Sequence, residues 1–125
     1  MKVLITGGAG YIGSTVASAC EDAGHDVVIL DDFSTGRREF IGERPLYEGD
    51  IADDSLLDRL LREQRIDAVV HCAAKIIVPE SVSKPLAYYE NNVAKTVTLL
   101  AALQRNGVER FLFSSSASIY APDEN

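Results

Sequence analysis

Three glycines at a fixed spacing carry the first chemical signal. Gly7, Gly10 and Gly13 follow a short β-branched run and precede an apolar pattern with helical period. A strand that turns sharply into a helix aims main-chain N–H groups and the positive end of the helix dipole at one point, which suits a pyrophosphate. In that context Gly7 makes the sharp turn, Gly10 lets the backbone approach the phosphates, and Gly13 lets the helix pack on the strand. Asp31 stands 18 residues beyond Gly13, at the end of a second apolar run. A carboxylate there can accept both hydroxyls of an adenosine ribose. A 2′-phosphate about 4 Å from it would meet a repulsion on the order of 4 kcal/mol per charge pair at an effective dielectric of 20. The pattern therefore selects NAD over NADP. Arg37 and Arg38 could receive such a phosphate only with Asp31 removed, and they read as solvated loop charges.

These residues need a scaffold, and the rest of the chain supplies one. Lys2 to Thr6 reads as a buried strand, and Tyr11 to Ala23 as a helix with Ile12, Val16, Ala19, Cys20 and Ala23 on its apolar side and Gly24 at its end. Asp26 to Asp31 is unbroken in its apolar centre, the mark of a strand covered on both faces. Asp32 to Arg44 is polar and irregular, and Pro45 to Glu48 is a weak third strand closed by Gly49 and Asp50. Asp53 can cap a helix that buries Leu56, Leu57, Leu60 and Leu61, and Ile66 to His71 is a fourth strand. A loop from Cys72 to Lys84 leads to a long helix opened by Pro85 and marked by Leu86, Tyr89, Val93, Val97 and Leu100. Arg110 to Ser114 is the fifth strand. Strands alternating with helices at this spacing imply right-handed crossovers and an α/β fold with a doubly wound parallel sheet. The expected order is 3-2-1-4-5, with ligand at the strand carboxyl ends.

Composition narrows the function. The 125 residues are enough for one domain, and a formal net charge of −7 without any Lys/Arg cluster opposes a nucleic-acid partner. No stretch approaches the roughly 18 apolar residues of a membrane span, and Val3 to Ile5 is too short for a signal-peptide core, so the cytoplasm is the expected compartment. Cys20 and Cys72 lie too far apart to read as a disulfide framework or a metal pair. His71 reads as the end of a buried strand, His25 as a turn residue, and Tyr88 and Tyr89 as packing residues; no metal is expected.

The segments TGGAGYIG, LDDFSTG, GDI, HCAAK, SVSKPLAYYENNV and FSSSASIY, in this order from Thr6 to Tyr120, resemble the N-terminal half of the extended short-chain dehydrogenase/reductases, and among them the nucleotide-sugar epimerases. The resemblance implies a Rossmann domain that holds NAD tightly. Carried over residue by residue, Tyr11 and Ile12 supply amides to the pyrophosphate, and Asp31, Asp32, Phe33, Ser34, Thr35 and Gly36 form the adenosine-ribose loop. Asp50 and Ile51 match the adenine contact, and Cys72, Ala73, Ala74, Lys75 and Ile76 the segment running along the cofactor. Asn91 matches a further NAD contact. Ser116 matches the catalytic serine that hydrogen-bonds the reacting sugar hydroxyl. One departure is that the family's lysine falls one position after Lys75, at Ile76.

The implied reaction is C4 epimerisation of a UDP-sugar, by hydride transfer from C4 to NAD and back on the other face. Its Tyr-x-x-x-Lys pair is expected a couple of dozen residues beyond Ser116, past Asn125. The chain therefore reads as the N-terminal cofactor-binding portion, with the substrate domain outside it, and a polypeptide of this span alone is expected to be inactive. A homodimer through the long helix is implied for the complete protein, and self-association for the isolated span, whose strand Phe111-Leu112-Phe113 would offer an uncovered edge. A dehydratase or reductase of the same family, or a noncatalytic NAD-binding module, would share every motif up to Ser116.

Overall fold

The computed structural model describes residues 1–116. Among them, five strands, β1 (Lys2–Thr6), β2 (Asp26–Asp31), β3 (Leu46–Glu48), β4 (Ala68–His71) and β5 (Arg110–Phe113), pair in parallel in the order β3-β2-β1-β4-β5. This is the Rossmann arrangement, and the first crossover back to the middle of the sheet falls between β1 and β4. Register places Leu4 beside Val28 and Val69, and Thr6 beside His71.

Alternation along the central strands divides the core into two layers. Leu4, Val28, Leu30 and Val69 point to one face, where they pack with Leu57, Leu60 and Leu61 of α2 (Asp54–Gln64) and with Leu99, Ala102 and Leu103 of the helix Lys95–Arg105. Val3, Ile5, Val27 and Ile29 point to the other face, against Ala17 of α1 (Tyr11–Asp22) and Ile41. The Asp53 carboxylate accepts the Leu56 N–H at 3.1 Å and so caps α2, as its position before the leucine pattern predicts.

The helices differ from the sequence reading in three ways. Val78–Ser83 (α3) is a helix inside the expected loop; with only six residues, opened by Pro79, it is too short for periodicity to show. The expected long helix is a continuous run of α4 (Pro85–Tyr89), one π-helical turn (Glu90–Ala94) and α5 (Lys95–Arg105). The stripe Leu86, Tyr89, Val93, Val97 and Leu100 is real, but it faces outward, with Leu86 82% exposed; Leu99, Ala102 and Leu103 face the sheet instead. Likewise α1 turns Gly13, Val16, Ala17 and Cys20 inward, while Ile12, Ala19 and Ala23 are exposed. In both helices several apolar residues flank the buried stripe, so spacing alone does not identify which set meets the sheet. On β5, Leu112 and Phe113 are exposed as well. Among the described residues, no helix is long and apolar enough to cross a membrane, and no group of His, Cys, Asp or Glu could hold a metal ion.

Candidate functional site

At the carboxyl ends of β1 and β2 the backbone is drawn into close contact. Gly7 has φ +70°, a left-handed conformation that favours glycine, and a Cβ there would lie 2.8 Å from the Ala73 nitrogen. A Cβ on Gly13 would come within 2.1 Å of the Gly7 carbonyl oxygen. Gly10 occupies the N-cap of α1 and provides no capping side chain. The first intrahelical bond is Ser14 N–H to the Gly10 oxygen, so the N–H groups of Tyr11, Ile12 and Gly13 have no partner within the helix. The side chains of Tyr11 and Ile12 are exposed, which leaves this end of a 12-residue helix open to an anion. A Cβ on Gly10 would meet only the Gly7 oxygen at 3.3 Å, so the space above it is a cradle that glycine keeps empty. The donors and the space together fit a pyrophosphate.

Asp31 is 8% exposed and already structural. Its Oδ2 accepts the Ala9 N–H at 2.9 Å and its Oδ1 the Phe33 N–H at 2.8 Å, so one carboxylate ties the glycine turn to the loop after β2. Each oxygen keeps lone-pair capacity for a further donor such as a ribose hydroxyl. The loop is fixed further by Ser34 N–H to Asp32 Oδ1 at 2.9 Å and by Arg37 N–H to the Ala9 oxygen at 2.9 Å. Gly36 sits against Ala9, where a Cβ would be 2.6 Å from the Ala9 methyl. Arg37 is exposed, as expected, but Arg38 is not simply solvated: its Nη2 lies 2.9 Å from both oxygens of Glu48, and its guanidinium stacks 4.2 Å from the Phe33 ring centre.

The segment after β4 is held by the side chains of Thr6, Asn92 and Tyr88. The Thr6 hydroxyl oxygen accepts the N–H groups of Cys72 and Ala73 at 3.2 and 3.4 Å. Asn92 accepts the Lys75 N–H at 2.9 Å and donates to the Lys75 carbonyl at 3.0 Å. The Tyr88 hydroxyl accepts the Ile77 N–H and donates to the Ile77 carbonyl, at 3.2 and 3.0 Å. Lys75 and Ile76 are exposed, with the Lys75 ammonium 6.0 Å above the Tyr88 ring, and burial pushes the half-buried Cys72 thiol up. Of the two neighbouring asparagines it is Asn92 that touches this segment, while the Asn91 amide donates to the Asn92 side chain at 2.9 Å. Tyr88 therefore does more than pack. Both residues lie on or beside the π-turn, a distortion that sequence periodicity does not announce. Ser116 is exposed beyond β5.

Beneath the segment, His71 is 2% exposed between two hydroxyls, with Nδ1 2.6 Å from Thr6 Oγ1 and Nε2 3.1 Å from Thr96 Oγ1. Thr96 donates to the Asn92 carbonyl at 2.9 Å, so its hydroxyl accepts from His71 Nε2–H, and the Thr6 hydroxyl donates to Nδ1. The ring is neutral, as burial, which lowers its pKa, requires. Unfolded chains take up this proton near pH 6.5. Stability is therefore full above that pH and falls as pH drops toward the lower folded-state value. Thermal melts from pH 7.5 to 5 are expected to show a steeper loss for the native protein than for His71→Gln; equal slopes would exclude this source of acid sensitivity. Asp50, Asp58 and Glu21 have lowered carboxyl pKa values and act only at more acid pH.

Asp50 follows β3 and faces the same edge. Its Oδ1 accepts the Ala52 N–H at 2.8 Å and its Oδ2 binds the Lys95 ammonium at 2.5 Å. Burial raises the Asp50 carboxyl, but the Lys95 ammonium and the Ala52 amide outweigh it and hold it below the usual range. Neither Thr6, Asn92 nor Lys95 stands out in the sequence as a site residue, because each acts through a contact more than 15 residues away. A separate hollow of about 890 Å³, lined by Glu21, Phe40 and Arg44, lies at the amino ends of the strands, and Arg44 spans it to Glu21 at 2.8 Å.

Comparison with known proteins points to one family and fold. The model of the NAD dependent epimerase/dehydratase family matches residues 3–125. A protein of Azospirillum brasilense named UDP-glucose 4-epimerase is 54% identical over 125 residues, covering 99% of this chain and 36% of that protein. A UDP-glucose 4-epimerase sequence of Klebsiella pneumoniae is 43% identical, covering 96% of this chain and 92% of that sequence. The crystal structure of a UDP-glucose 4-epimerase from Stenotrophomonas maltophila, with bound NAD and formylated UDP-arabinopyranose, superposes with a TM-score of 0.93 at 37% identity, over 100% of this chain and 40% of that one. The enzyme of Brucella ovis in complex with NAD gives a TM-score of 0.92 at 37% identity, over 99% and 38%. The chain thus spans well under half the length of most of these relatives.

Proposed function

The chain belongs to the NAD dependent epimerase/dehydratase family, and we propose that residues 1–125 are one Rossmann domain, the NAD-binding portion of a cytoplasmic UDP-sugar 4-epimerase of the UDP-glucose/UDP-galactose type. One observation carries the reading: the uncapped amides of α1 and the Asp31 carboxylate converge at the carboxyl edge of β1 and β2. Close sequence relatives are named UDP-glucose 4-epimerase and solved neighbours hold NAD.

When bound, NAD would supply a reversible hydride acceptor. The chain's own residues bind and orient it. The N–H groups of Tyr11 and Ile12 take the pyrophosphate, with Gly7, Gly10 and Gly13 allowing the approach. The remaining lone pairs of Asp31 accept the ribose hydroxyls, and the backbone from Asp32 to Gly36 encloses that ribose. Asp50 and Ile51 receive the adenine. Residues 72–76, clamped by Thr6 and Asn92, form the wall along the nicotinamide side, with Asn91 beside it. Ser116 orients the sugar hydroxyl whose proton leaves. The outward stripe of α4 and α5 is the surface through which the complete protein pairs as a homodimer.

Cofactor-free intact protein should bind NAD stoichiometrically by calorimetry and then convert UDP-galactose to UDP-glucose, a reaction of galactose metabolism. A polypeptide limited to residues 1–125 should show no turnover above a no-enzyme control. Intact protein that fails to bind NAD would refute the assignment, as would NAD-bound protein that leaves every UDP-hexose unchanged.

A further inference from the structure

The Asp50–Lys95 pair links the turn after β3 to the start of α5, above the core where Ile51 and α2 already pack on Leu99. Asp50 opens the turn after β3, beside Gly49, whose N–H donates to the Asp31 carbonyl at 3.0 Å; the loop is therefore anchored to the adenosine end of the site. Lys95 begins α5, 45 residues later in the chain. The pair is partly enclosed: the Lys95 side chain is 26% exposed and the Asp50 side chain 41%. Asp50 uses one oxygen for the Ala52 amide and the other for Lys95, which fixes the plane of the carboxylate while leaving lone pairs on both oxygens. The other charges acting on Lys95 are Glu90 of the π-turn and Asp32 of the ribose loop, both negative, so the ammonium is the cation among three carboxylates at this edge.

We propose that Lys95 is a positioning residue for adenine recognition: it holds the Asp50 carboxylate oriented so that it accepts the exocyclic amino group of the base. This rests on the reading of the site as an NAD site with adenine at Asp50. An ionised carboxylate is an acceptor only, whereas a protonated or freely rotating one loses that selectivity. Lys95 removes the rotamer freedom that Asp50 would otherwise give up on binding. Consistent with this, the ammonium keeps the Asp50 carboxyl low despite partial burial.

The test compares NAD with nicotinamide hypoxanthine dinucleotide, which carries a ring carbonyl in place of the amino group, on cofactor-free intact protein by calorimetry between pH 7 and 4. The native protein should prefer NAD and keep that preference to more acid pH than a variant without the Lys95 ammonium. Lys95→Met should reduce the preference by about fivefold, the scale of a partly exposed ion pair. It should also make the remaining preference fade toward the acid end of the series, because Asp50 then lacks the cation that lowers its carboxyl while burial still raises it. Lys95→Arg should restore both. A Lys95→Met or Lys95→Gln protein that loses affinity for both dinucleotides equally would overturn the proposal in favour of a merely structural pair, and so would an unchanged ratio and pH profile. Native protein that binds NAD without preferring it over the hypoxanthine analogue would overturn adenine recognition at Asp50 while leaving the NAD assignment standing; native protein that binds neither overturns both.

Discussion

Gly13→Ala is expected to lower the melting temperature and to weaken NAD binding by roughly a hundredfold, the scale of a misplacement near 1 Å in a binding constellation. The added methyl would meet the Gly7 oxygen at 2.1 Å, the Gly7 carbonyl carbon at 2.8 Å and the Gly8 Cα at 2.9 Å. All three are backbone atoms, so no side chain can swing aside; the first turn of α1 must move, and the amides of Tyr11 and Ile12 move with it. Overpacking of this kind costs about 1–3 kcal/mol of stability. Gly10→Ala separates the two roles of the glycines. Its φ of −81° suits any residue, and its one close contact is 3.3 Å, so the fold should be nearly unaffected. The methyl then projects into the cradle for the pyrophosphate and should weaken NAD with little loss of melting temperature. A Gly13→Ala protein that melts and binds as the native one does would show that this contact is not what seats the helix.

The order of the sheet and the glycine turn are both legible in the residues, because each rests on a local pattern: unbroken apolar runs for the central strands, and three glycines between a strand and a helix. What the pattern leaves open is direction around a helix axis. Leu86, Tyr89, Val93, Val97 and Leu100 repeat at helical spacing, yet the sheet is met by Leu99, Ala102 and Leu103, and nothing local marks which stripe has a partner. The site residues divide in the same way. Asp31 is legible by its distance from Gly13, while Thr6, Asn92 and Lys95 gain their roles only when parallel pairing and the α5 crossover bring residues 6, 71 and 96, or 50 and 95, together. The same folding pairs Arg38 with Glu48 while both arginines stay exposed, a distinction that two adjacent arginines in a sequence do not carry.

That distinction bears on the second large effect. Native protein should bind NAD far more tightly than NADP, and Asp31→Ala should bring the two affinities to within about tenfold of each other, since removing one charge pair relieves up to about 4 kcal/mol at an effective dielectric of 20. NAD itself should weaken by one to two orders of magnitude, as expected for losing hydrogen bonds to a charged acceptor worth about 1.5–3 kcal/mol. The variant also orphans the buried Ala9 N–H, which bonds Asp31 Oδ2 at 2.9 Å, so its stability should fall by about 1–3 kcal/mol. The fall in stability and any loosening of the glycine turn act on both dinucleotides alike, so the ratio of the two affinities isolates the electrostatic part. With Asp31 gone, Arg37 is free to meet the 2′-phosphate, whereas Arg38 remains bound to Glu48 and stacked on Phe33. Adding Glu48→Gln to Asp31→Ala should therefore release the second guanidinium and shift the ratio further toward NADP. Calorimetric titrations of the three proteins with both dinucleotides measure this directly: equal affinities in the native protein, or a ratio unchanged by Asp31→Ala, would remove Asp31 as the residue that chooses the cofactor.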